Sequence, residues 1–174
     1  MATATTKLTS TQHPLVRVVI GSLIASLALG MWTMMLEGIL HAGENFIAGL
    51  FSPVEYIAAT VLGGLGNPNF YPAGQLPSVD PLAIILGLMG HMMNAVIFGL
   101  IFYAIATRLP NDRRSLIIAG VVYGVAILFA MWFIALPILD PVMLRVNFIA
   151  FLLGHMLFGA MLGWTAAWAR DAHA

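Results

Sequence analysis

His91 and His155 sit in matching contexts, Gly90-His91-Met92 and Gly154-His155-Met156, each followed by a small residue four places on and a glycine eight places on. Positions i, i+4 and i+8 lie along one face of an α-helix. Each imidazole therefore shares a face with small residues, Ala95 and Gly99 in one case and Gly159 and Gly163 in the other. Inside an apolar stretch such a pair has three possible roles. It can hydrogen-bond across a tight helix interface and fix register, or ligate a cofactor, or form part of a proton or ion path. Bis-histidine ligation of a b-type haem needs two histidines at similar depth on facing helices, which makes haem b the one cofactor these residues suggest. A polar path would run through His91, Asn94, His155 and Asn147. No carboxylate lies at the same depth, so a site for a bare metal ion is not expected.

Glu37 and His41 form a second constellation. Their i, i+4 spacing puts them on one face at the end of an apolar run. They read either as an interfacial ion pair or as a site completed by Glu44 or Glu55, which would bind a cation or seat a partner. No Walker loop, dinucleotide fingerprint, nucleophile elbow or HExxH occurs, and there is no cysteine. No catalytic residue is assigned, and an enzyme is not the expected reading. The eleven methionines are read as packing residues that fill irregular gaps.

The elements that must position these residues are membrane helices. With 61% hydrophobic and only 8% charged residues, the chain lacks the charge to coat a water-facing surface. Its net charge of zero gives no basic field for nucleic acid. Four stretches reach the roughly 20 apolar residues a span needs, at about 15–40, 82–107, 116–139 and 142–169, within a single integral membrane domain over residues 1–174. Pro14, Pro81 and Pro141 each precede a span, where a missing N–H costs nothing. The polar first residues and the length of the first run argue against a cleaved signal peptide. Lys7, Arg17, Arg108, Arg113, Arg114 and Arg170 fall on one side, which the positive-inside rule makes cytoplasmic, along with both termini. Only Arg145 falls outside. A fifth span over 45–65 is interrupted by Pro53 and Glu55 and would break this charge pattern. The outer insertion, 41–80, is therefore read as a loop with a short interfacial or re-entrant helix.

The two His patterns lie 64 residues apart, and Met31-Trp32 matches Met131-Trp132 at a distance of 100. The expected fold is accordingly an all-α membrane protein, with four transmembrane helices arranged as two tandem hairpins in parallel repeat. The string His155-Met-Leu-Phe-Gly159-Ala-Met-Leu-Gly163-Trp164, with small residues leading into Met-Met-Leu-Glu37 in the first span, resembles small four-span prokaryotic inner-membrane proteins of unknown function, the YagU-like group among them. That resemblance implies a multi-pass protein of the prokaryotic cytoplasmic membrane without an assigned reaction. The expected function is that of a non-enzymatic accessory subunit or small membrane factor, with a haem protein and a small transporter or channel component as alternatives. The expected partners are the lipid bilayer and either further copies of the chain or other membrane subunits.

Overall fold

A computed structural model describes residues 13–170, so Lys7 lies outside the described residues. Among the described residues, six α-helices occur in the order α1 (Pro14–Leu40), α2 (Phe46–Leu62), α3 (Pro81–Ala106), α4 (Arg113–Ala130), α5 (Leu136–Leu139) and α6 (Phe148–Arg170). The starts follow the local chemistry. Pro14 and Pro81 open their helices, and Asp80 accepts the Leu82 N–H at 2.9 Å. Asp112 caps α4 through Ser115 N at 2.8 Å, and Asn147 caps α6 through Ala150 N at 3.0 Å.

Four of these elements are long and apolar enough to cross a membrane: Pro14–Leu40, Pro81–Ala106, Arg113–Leu139 and Phe148–Arg170. Protein buries only 17% to 50% of their most apolar windows, which leaves half or more of each window to face lipid. One irregularity inside a span and one boundary differ from the expectation. Pro137 has no N–H to return to the preceding turn, and Met131–Ala135 widens into a π-turn in which Leu136 N–H bonds Met131 C=O. The fourth span starts at Phe148 rather than 142, because Pro141–Arg145 forms a 3-10 turn and Val146 is extended.

Glycine sets the packing. A Cβ on Gly120 would strike the Gly159 carbonyl and come within 2.9 Å of Gly163 N, and one on Gly159 would strike the Gly120 carbonyl. Thus α4 and α6 touch backbone to backbone, as small-residue membrane interfaces do. On its other side α6 packs on α1, where Gly21 meets Thr165 and Gly154 meets Leu29. α3 packs against α1 with Gly99 under Ser22. α3 and α4 meet through Tyr123, whose hydroxyl donates to the Phe98 carbonyl at 3.0 Å and whose ring lies 5.1 Å from Phe102.

The insertion folds back on the bundle. α2 starts beside the end of α1, with Gly49 against His41 and the Glu37 carbonyl. It crosses α3, where Gly87 lies under the Val54 carbonyl. Its Tyr56 and Ala59 then reach the cluster of Leu136, Val142 and Met143. Pro53 inside α2 cannot bond the Gly49 carbonyl, and the Ser52 hydroxyl donates to that carbonyl instead, at 2.9 Å. The rest of the insertion is clamped by Arg145, whose guanidinium donates to the carbonyls of Pro68, Tyr71 and Pro72 at 3.0–3.1 Å. Gly66 takes a positive φ of 72° and bonds Leu139 C=O at 2.9 Å; a Cβ there would lie 2.8 Å from the Ile138 carbonyl.

Candidate functional site

Between α1, α3, the α4–α5 segment and α6, and beneath α2, lies a cavity of about 270 Å³. An apolar cavity of about 150 Å³ already holds a benzene-sized ring, so this one accommodates a substituted ring or a short branched chain. Its wall is mostly aliphatic and aromatic, and the polar groups in it are few: Thr33, Thr60, His91, Asn94, Asp140 and His155. Proline and glycine make the space. The π-turn before Pro137 puts Met131 and Ala135 in the wall, and Gly30 leaves room beside His91. π-turns inside α-helices recur at functional sites.

Both expected histidines line this cavity. His91 reaches α1, its Nε2 lying 3.0 Å from the Ser26 carbonyl. His155 lies 2.9 Å through Nδ1 from the Phe151 carbonyl one turn earlier, with the Phe151 ring 4.4 Å away. A carbonyl oxygen only accepts, so each of these nitrogens carries the proton. Asn94 lines the same cavity yet is exposed on the bundle surface. The wall therefore reaches the bundle surface at Asn94 on α3. Asn147 is elsewhere. It caps α6, is exposed, and is not in the cavity wall that His91, Asn94 and His155 share.

The residues fit a haem poorly. His155 has Nε2 free to ligate, but His91 commits Nε2 to Ser26, and a macrocycle of four pyrroles exceeds the space that a single substituted ring fills. Among the described residues, no group of three or more metal-binding side chains gathers anywhere.

Glu37 and His41 do share a face, with Nδ1 3.6 Å from Oε2. Glu37 is 2% exposed, and its Oε1 accepts the Asn147 backbone N–H. Its partner across the molecule is thus the start of α6, not Glu44 or Glu55. Glu44 is exposed on the turn before α2. Glu55 is fully buried, accepts the Asp80 N–H at 2.7 Å through Oε1, and leaves Oε2 unpartnered among the described residues. Burial pushes its carboxyl above the ordinary range, against the lowering effect of the Asp80 N–H. A protonated oxygen tolerates that position. Both carboxylates thus hold a helix start, Glu37 that of α6 and Glu55 that of α3.

Sequence reasoning missed Thr33, Thr60 and Asp140 as cavity residues. Thr33 and Thr60 are single hydroxyls in apolar helices with no pattern to mark them. Pro137 within a span was the one signal that the wall near Asp140 would be irregular.

No curated protein and no solved structure matches the chain. A protein-family profile matches residues 16–174, and the chain therefore belongs to DUF6789, a family of unknown function.

Proposed function

We propose that this chain is a non-enzymatic, four-span factor of a prokaryotic cytoplasmic membrane that binds a small amphiphile in the cavity beneath α2. Its termini face the cytoplasm and α2 faces outward, as the distribution of arginines favours. The resemblance to small four-span inner-membrane proteins supports the same location. The observation that carries the binding reading is the cavity itself. All four long helices wall it, both mid-span histidines line it, and a few polar groups converge in an otherwise apolar space, as in small-molecule sites generally. Elsewhere the same helices pack so closely that glycine is required, so this space is a local departure from the packing rule. An accessory role in a larger assembly is compatible, with the bound amphiphile as the signal or cargo.

The test is to purify the protein in mild detergent and analyse what it retains. The wild type should carry an amphiphile in near-stoichiometric amount, seen by native mass spectrometry. Ala135→Phe, which puts a ring into the cavity, should lose it. Retention of the same molecule by the filled variant would contradict the reading. An absorption spectrum of the same sample separates the haem alternative, which requires a Soret band that is lost in both His91→Ala and His155→Ala.

A further inference from the structure

We infer that the cavity favours a ligand whose head donates a hydrogen bond, a hydroxyl-bearing amphiphile rather than a wholly apolar one of the same shape. This rests on the binding reading above and names its ligand class. The argument begins with the two rings. His91 donates Nε2–H to Ser26 and His155 donates Nδ1–H to Phe151. A charged imidazolium is costly in an apolar enclosure, so each ring is neutral and keeps one lone pair, on Nδ1 of His91 and Nε2 of His155. Neither nitrogen has a hydrogen-bond partner among the described residues, and both rings stand in the cavity wall. The site therefore presents two acceptors.

The backbone holds that choice in place. Turning either ring to offer its N–H to a ligand would leave a helix carbonyl facing an imidazole lone pair, which repels it. A head that cannot donate could accept from the Asn94 amide or the unpartnered Thr33 hydroxyl in the same wall, but would leave both imidazole lone pairs unpaired. A hydroxyl donates to one ring and still has its oxygen to accept from the Asn94 amide, which is free in the same wall. Asn94 also marks where the wall reaches the bundle surface, so the apolar tail of such a molecule leaves there while its head stays beside the rings.

Isothermal titration of the full chain in nanodiscs tests this, with empty nanodiscs as the blank. The probes are 4-butylphenol and 1-butyl-4-fluorobenzene, in which fluorine replaces the hydroxyl at nearly the same size. Both are expected to bind. The phenol should bind more tightly by on the order of threefold to tenfold, the worth of about one net hydrogen bond. That preference should shrink towards unity in His155→Leu or His91→Leu. Equal affinities in the wild type would overturn the donor requirement while leaving the cavity reading intact. A preference undiminished in both variants would overturn it as well. Failure of both probes to bind above the blank would overturn the cavity reading itself. If His155→Leu does not fold, the wild-type ratio and His91→Leu still decide.

Discussion

Asp140 lies at the rim of the cavity, 6% exposed, and burial pushes its carboxyl up to about 6, against the opposing Met143 N–H. The folded state thus favours the protonated acid. Stability from this group is present below its ordinary value of 3.8 and is lost as the pH rises through about 6. Thermal unfolding in micelles should show the protein less stable at pH 7.5 than at pH 5, by up to about 1.4 kcal/mol from this residue. Asp140→Asn should reduce that fall; the raised Glu55 carboxyl leaves a remainder of the same sign. Glu55→Gln keeps the acceptor for Asp80 N–H and should cost under about 1 kcal/mol, whereas Glu55→Ala orphans that N–H and should cost about 1–3 kcal/mol. At this scale the sequence was partly legible. The two histidines stand out because an apolar helix gives no other reason for them. The Glu37–His41 spacing was also visible, but its partner was not, since the Asn147 N–H is a backbone group 110 residues away.

The helices were legible because length and apolarity suffice to mark a span, and proline and aspartate mark the starts. What escaped is the irregular stretch from Met131 to Val146, where Pro137 and Pro141 act through backbone bonds that no apolar pattern reports. The position of α2 also escaped, because Pro53 and Glu55 looked like interruptions. Ser52 satisfies the carbonyl that Pro53 abandons, and Glu55 is the tether to α3. The α4–α6 seam gives the sharpest prediction for an element. Gly159→Leu should cost more than about 3 kcal/mol or prevent folding, because backbone faces backbone and overpacking has nowhere to relax. Gly43→Leu, with nothing within 4 Å of its Cβ, should lie within about 0.5 kcal/mol of wild type. Unfolding by denaturant in mixed micelles compares the two. Arg145→Ala should release the insertion from its clamp, raising hydrogen exchange over 63–80 while α1, α3, α4 and α6 keep their protection.

For the whole molecule, the bundle follows from apolarity and glycine, and the cavity from the few places where that packing is interrupted. Because the chain has no cysteine, topology is open to single-site labelling. Ser78→Cys and Asn111→Cys, both exposed, should react with a membrane-impermeant maleimide from opposite faces, Ser78→Cys from outside the cell. Labelling of both from one face would break the four-span arrangement. The binding claim is tested most directly by a photoreactive, diazirine-bearing alkyl alcohol cross-linked to the protein in nanodiscs, with adducts mapped by mass spectrometry. The account predicts saturable adducts on cavity residues such as Met34, Met131 and Met143, suppressed in Ala135→Phe. Adducts confined to lipid-facing residues such as Met31, Met93 and Phe133, and unchanged by Ala135→Phe, would contradict it.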